Sequence, residues 1–229
     1  MSARREELRT NLQSVTERIS AAAESVGRDP KEVTLIAVTK FFPLDDVRHL
    51  YDLGLRHFGE NRDDEGSEKS EGLGEEATWH FQGQIQGRKI RSLVEWAHVT
   101  HSLDSVDHAA KFERILGELE QSRDFFIQIN LEPAREDRGG IQPGDLDRFL
   151  EEIRHFSHLN LLGLMTVPPI SAEPETAFAE IAGLASRHRL SHLTQLSMGM
   201  SGDFEAAIRA GATHIRVGSS ILGSRPTPA

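Results

Sequence analysis

The chain has 229 residues, a formal net charge of −10 at pH 7 and 38% hydrophobic residues; that length suits one large domain or two small ones, and α/β barrels of this size commonly fold as one. The acidic balance argues against a general affinity for nucleic acid or an anionic membrane, and the lack of cysteine excludes disulfides, thiolate nucleophiles and zinc–thiolate sites. There is no N-terminal apolar leader and no apolar run near the roughly 20 residues of a membrane helix, so a soluble cytoplasmic protein is expected.

The first element is a helix within residues 1–27. Leu8, Leu12, Val15, Ile19, Ala22 and Val26 recur at intervals of four and three and make one face apolar. Ser2 is its N-cap, and Gly27 with Pro30 ends it. The expectation is a helix packed on the outside of a domain spanning 1–229. Next comes Val33-Thr34-Leu35-Ile36-Ala37-Val38-Thr39-Lys40, a nearly continuous apolar, β-branched run that ends in lysine. Such a run reads as a strand buried on both faces, as in a parallel sheet.

From there the pattern alternates. Strands are predicted over 34–39, 56–58, 79–82, 98–101, 125–130, 161–166, 195–197 and 214–217. Helices are predicted over 43–53, 63–69, 86–94, 106–120, 146–156, 173–187 and 204–210, with a short piece at 219–222. The acidic stretch 68–76 reads as a solvated loop. Eight strands, each followed by a helix, is the count of a single α/β (β/α)8 TIM barrel with an extra N-terminal helix. A doubly wound open sheet is the alternative, but Lys40-Phe41-Phe42-Pro43 stands where its glycine fingerprint belongs.

In a barrel the chemistry sits at the C-terminal ends of the strands. Lys40 ends the first, and desolvation there lowers an amine's pKa and readies it for a carbonyl. Gly59-Glu60-Asn61 follows the second strand, Asn130 ends the fifth and Met165 is near the end of the sixth. Met198-Gly199-Met200-Ser201-Gly202-Asp203 and Arg216-Val217-Gly218-Ser219-Ser220 follow strands seven and eight, the recurrent phosphate location in barrels. Backbone N–H groups at two helix starts, with serine hydroxyls, make an uncharged anion site. Arg216 can point toward the barrel mouth. His80 reads as a satisfied core or supporting histidine, and His98 and His101 fit a strand better than a metal site. No metal-ligand constellation stands out, and Asp63-Asp64-Glu65 most simply starts a helix. An amine, a phosphate cradle and an arginine around one mouth together suggest pyridoxal phosphate. A cofactor-free Schiff-base aldolase acting on a sugar phosphate would use the same parts.

Seven motifs occur in order: Ala37-Val38-Thr39-Lys40, Phe58-Gly59-Glu60-Asn61, Trp79-His80-Phe81-Gln82-Gly83, His101-Ser102-Leu103-Asp104-Ser105, Gly163-Leu164-Met165-Thr166, Leu196-Ser197-Met198-Gly199-Met200-Ser201 and Ile215-Arg216-Val217-Gly218. Their combination resembles the pyridoxal phosphate homeostasis proteins, the YggS/PROSC family, over nearly the whole chain. The resemblance implies a barrel similar to the N-terminal domain of alanine racemase. It implies a covalent aldimine of pyridoxal 5'-phosphate on Lys40, with Asn61 close to the cofactor and Met165 beside the ring. Ser201, Gly218 and Ser219 would bind the phosphate, and Arg216 would face the pyridine nitrogen. Gly202 and His80 complete the expected cofactor-binding set. The chain departs from the commoner pattern at Gln84 through Lys89 and at Arg138-Gly139-Gly140.

The implied function is a carrier that holds the cofactor and takes part in its intracellular homeostasis, with cofactor-dependent apo-enzymes as recipients and no established catalysis. Racemases of similar fold use an added β domain for their second acid/base. This chain ends at Ala229, just after the eighth unit, so a monomeric non-enzyme is expected. The alternative is a low-activity racemase or lyase with the same cofactor.

Overall fold

A computed structural model describes residues 2–132, 138–169, 172–187 and 193–224. Its strands are β1 (Thr34–Val38), β2 (His57–Glu60), β3 (Thr78–Phe81), β4 (Val99–Leu103), β5 (Arg123–Ile129), β6 (Leu159–Thr166), β7 (Gln195–Met200) and β8 (His214–Val217). They pair in sequence order, all parallel, and β8 closes on β1 with Ile36 opposite Arg216. The helices are α1 (Ala3–Glu24), α2 (Leu44–Asp52), α3 (Asp63–Glu71), α4 (Ile90–Trp96), α5 (Val106–Glu118), α6 (Leu146–Ile153), α7 (Pro174–Arg187), α8 (Phe204–Arg209) and α9 (Ser219–Leu222). This is the (β/α)8 barrel that the alternating pattern predicts.

The apolar residues divide into two sets. The large cluster lies between strands and helices and includes Phe58, Trp79, Phe112, Phe125, Phe178 and Phe204. A small separate cluster of Val99, Phe126 and Met165, with Leu162 and Val167 against it, fills part of the barrel interior. Much of the remaining interior is polar, as described below.

Ser2 caps α1 as expected, its hydroxyl accepting from the Arg5 amide at 3.2 Å. The buried face of α1, with Leu8, Val15 and Ile19, packs against α2, α8 and α9. Arg4 ties those elements together. It reaches Asp46 of α2 at 3.0 and 2.8 Å and the Leu222 carbonyl of α9 at 2.9 Å. The first helix thus steadies the short helix beside the barrel mouth.

Three differences from the sequence expectation stand out. The region 68–76 is not simply a solvated loop: α3 runs through Glu71, and Lys69 is buried within it. Strand β7 extends to Met200 across a register shift after Ser197, where Gly199 adopts φ +92° and a Cβ would sit 2.5 Å from Ala207. Only glycine allows α8 so close to the strand. The expected helix over 86–94 is split into a short 3-10 turn at Gly87–Lys89 followed by α4. Among the described residues no helix is long and apolar enough to cross a membrane.

Candidate functional site

A cavity of about 460 Å³ opens at the C-terminal ends of the strands. That is within the size range of small-molecule sites. Of the residues singled out in the sequence, it brings together Lys40, Asn61, Met165, Ser201, Gly202, Arg216, Gly218 and Ser219. It adds Gln82 from the third loop, which sequence reasoning missed, and apolar wall from Val38, Phe42 and Val167. The signals for Gln82 were its place at the end of the predicted third strand and within the Trp79–Gly83 motif.

Lys40 is placed by a braced turn. The Phe42 amide donates to the Thr39 carbonyl at 3.1 Å, and Phe41 adopts φ +71°, a left-handed backbone that costs a non-glycine residue about 1–2 kcal/mol. The brace comes from α3. Glu65 accepts from the Phe41 amide at 2.9 Å, and Lys69 Nζ donates to the Thr39 carbonyl at 2.9 Å and to Glu60 at 2.6 Å. The Thr39 hydroxyl also donates to Glu60, at 2.6 Å. Burial raises the Glu60 carboxyl above its ordinary pKa, while the Lys69 ammonium works in the opposite direction. This buried pair was invisible in the sequence, where Lys69 sits in an acidic run.

Arg216, on β8 directly beside β1, also lines the cavity and is 5% exposed. Its guanidinium donates to Ser197 Oγ at 2.8 Å and to the Thr166 carbonyl at 2.9 Å. Burial pushes its pKa down to about 10, with the Asp203 charge acting upward. It is therefore a cation at neutral pH.

The seventh and eighth loops meet at Ser201. Its hydroxyl oxygen accepts from the Gly218 and Ser220 amides at 3.1 and 3.3 Å. The sequence reading offers those amides directly to an anion; in the structure Ser201 gathers them. Its own hydroxyl hydrogen is the donor that remains. A Cβ on Gly202 would meet nothing within 4 Å, so the backbone there is open to close approach.

His80 is a correction. It does not line the cavity; it is 1% exposed inside the barrel, with its two ring nitrogens bonded to His57 and His101. Asn130 likewise does not line the cavity; it donates to the Arg138 carbonyl and accepts from the Glu132 amide. Arg138 donates to the Val167 and Pro168 carbonyls at 3.2 and 3.1 Å, tying the fifth loop to the residues after β6. Asp63 starts α3 as expected and also accepts from Ser92 and Trp96. Among the described residues no group of three or more His, Asp or Glu side chains could hold a metal ion.

The wall carries unspent polar atoms. Asn61 Oδ1 and Gln82 Nε2 are buried and meet no hydrogen-bond partner among the described residues. Leaving such atoms unpaired costs about 1–3 kcal/mol each, which a polar ligand would relieve. An amine, a cation, an amide pair and a hydroxyl around one apolar-floored cavity fit pyridoxal phosphate: an aldehyde for Lys40, acceptors for Arg216 and Ser201, and a flat ring against Met165.

Comparison with known proteins bears on this fit. The family model described as "Alanine racemase, N-terminal domain" matches residues 10–226. A pyridoxal phosphate homeostasis protein from Mycobacterium leprae is 39% identical, with 96% of this chain and 93% of that protein covered. The structure of PipY from Synechococcus elongatus PCC7942 with PLP bound is 35% identical; its TM-score is 0.80, covering 91% of this chain and 100% of that one. An alanine racemase from Clostridium difficile shares the fold at 16% identity and TM-score 0.72, with 97% of this chain matching 58% of the racemase.

Proposed function

The chain belongs to the alanine racemase N-terminal-domain family and, within it, to the pyridoxal phosphate homeostasis proteins; on that footing we propose that it binds pyridoxal 5'-phosphate at the barrel mouth, as a Schiff base on Lys40, and serves cytoplasmic homeostasis of the cofactor without turning over a substrate. The observation that carries the proposal is the convergence of Lys40, Arg216 and the Ser201–Gly218–Ser219 loops on one cavity. When bound, the cofactor supplies an aldehyde, a phosphate and an electron-withdrawing ring.

The chain's residues divide that work. Lys40 provides the amine, held by the turn that Lys69 and Glu65 brace. The Ser201 hydroxyl and the open backbone at Gly202 receive the phosphate, with Gly218 and Ser219 forming the adjacent wall. Met165 and Val167 offer apolar contact to a ring, while Asn61 and Gln82 offer their unspent polar atoms. Arg216 donates a hydrogen bond and, being cationic, opposes a second positive charge on a nitrogen facing it. A ring held unprotonated is a weaker electron sink, which favours carrying over catalysis. Cofactor-dependent apo-enzymes are the proposed recipients, and a monomer is the proposed carrier.

Adding the cofactor to purified protein tests this reading. A visible absorption band is expected, and Lys40→Ala should lose it while the protein stays folded. A colourless mixture, or a band that survives in Lys40→Ala, contradicts the assignment. Robust racemisation of an amino acid, lost in Lys40→Ala, contradicts the non-catalytic half.

A further inference from the structure

Three histidines cross the barrel interior in a line that ends at Arg216. His57 begins β2, at the barrel end remote from the cavity, and is half-buried. Its Nδ1 lies 3.0 Å from His80 Nε2, and His80 Nδ1 lies 2.9 Å from His101 Nε2. His101 Nδ1 is 2.8 Å from Ser197 Oγ, which accepts from Arg216 at 2.8 Å. A barrel interior is ordinarily filled by branched aliphatic side chains. Packing alone does not call for a continuous file of polar groups.

The chemistry of the last member sets the direction of the file. A guanidinium has donors and no acceptor, so Ser197 Oγ must accept from Arg216. Among the described residues the other partner of that hydroxyl is His101 Nδ1, so the serine hydrogen points there. His101 then carries its hydrogen on Nε2 and donates to His80 Nδ1. His80 does the same toward His57, whose Nδ1 is the terminal acceptor.

We propose that Arg216 polarises a single hydrogen-bonded relay, Ser197–His101–His80–His57, which holds all three rings neutral with hydrogen on Nε2 and couples the remote end of the barrel to the guanidinium at the cavity wall. Ser197, His101 and His80 are positioning residues for Arg216. The relay goes beyond the cofactor reading and does not depend on it, because every member belongs to this chain.

Protonating His57 at Nδ1 requires each bond in the file to reverse. His57 would donate to His80 Nε2, His80 to His101 Nε2, and His101 to Ser197 Oγ. Ser197 would then face donors on both sides and its hydrogen would lose its acceptor. The surroundings also disfavour charge. His214 on β8 has its ring 6.3 Å from His80 and 6.2 Å from His101. His98 on the approach to β4 acts on His80, and Arg216 acts on His101. Burial lowers the pKa of His57, His80 and His101 alike.

NMR of ligand-free protein labelled with ¹⁵N-histidine tests the relay, so its outcome is separate from any result with the cofactor. Of the eleven histidines, His57, His80 and His101 should show the Nε2–H form at pH 7.5. Nitrogen–nitrogen couplings should connect His101 to His80 and His80 to His57. Hydrogen on Nδ1, a charged ring at that pH, or missing couplings overturns the proposal. In Ser197→Ala the file is cut from Arg216, two rings away from His57. His101 should then populate the Nδ1–H form and the His57 titration midpoint should rise, on the order of 0.5–1 pH unit, with Ser197→Thr restoring both. A folded Ser197→Ala protein with an unchanged His101 form and His57 midpoint overturns the coupling. If Ser197→Ala does not fold, the native spectrum decides alone.

Discussion

Lys69 Nζ donates to the backbone carbonyl of Thr39 at 2.9 Å, one residue before Lys40. The same ammonium neutralises Glu60, which is fully buried. Removing one partner of a buried pair strands the other charge, a loss of about 3–5 kcal/mol. Lys69→Met should therefore be strongly destabilised at neutral pH and should bind cofactor more weakly, because the turn carrying Lys40 loses its brace. The Glu60 pKa is already raised by burial, so stability linked to it is full at low pH and falls as pH rises through the raised value. Without Lys69 that fall deepens. Urea unfolding of Lys69→Met at pH 5 and pH 8 should show the larger deficit at pH 8, and Glu60→Gln added to it should recover part of the loss. Equal deficits at both pH values would exclude the electrostatic account.

The interior histidines set the acid limit. His214 is held neutral by burial, its pKa lowered from 6.5 to about 4. A base with a depressed folded pKa contributes stability that is present above its unfolded value and lost as pH falls through the folded one. That shift corresponds to about 3 kcal/mol, lost between pH 6.5 and 4. Unfolding free energies measured across this window should decline, and less steeply in His214→Leu. Identical slopes in the two proteins would remove His214 from the explanation.

Ser201 is expected to separate phosphate from ring recognition. Ser201→Ala removes the hydroxyl that gathers the Gly218 and Ser220 amides. Affinity for pyridoxal phosphate should fall by roughly tenfold or more, the equivalent of about 1.5 kcal/mol. Affinity for pyridoxal, which lacks the phosphate, should change little. Titration of both ligands checks this, and a parallel loss for the two would place Ser201 elsewhere in the site.

Two glycines should respond in opposite directions. A Cβ on Gly163 would come within 1.7 Å of the Gln195 carbonyl oxygen on β7, whereas one on Gly183 in α7 meets nothing within 4 Å. Gly163→Ala should lose about 3 kcal/mol or more through forced separation of the strands. Gly183→Ala should gain about 0.5–1 kcal/mol from helix propensity. Thermal unfolding of the two variants distinguishes them.

Local pattern carried much of the fold. The apolar run into Lys40 marks β1 because both of its faces are covered, and α1 and α9 begin where the sequence places them. The edges that were missed depend on neighbours. Arg123 and Asp124 join β5 because they pair with Leu159 and Asn160, although their polarity reads as loop. Lys69 looks like a surface cation until α3 folds over the first turn. Of the site, Lys40, Arg216 and Ser201 were legible as strand-end chemistry. The histidine file was not, because His57, His80 and His101 are 23 and then 21 residues apart and meet only once adjacent strands align. Histidines on strands two to four, each two residues further along than the register partner of the one before, were the signal available.

The central claim is that the cofactor is held on Lys40. Reduction of the cofactor-loaded protein with borohydride, followed by peptide mass analysis, reads the attachment site directly. The expected result is one pyridoxyl-phosphate adduct on the peptide containing Lys40. An adduct on Lys69 or another lysine, or no adduct on a loaded protein, would contradict the assignment.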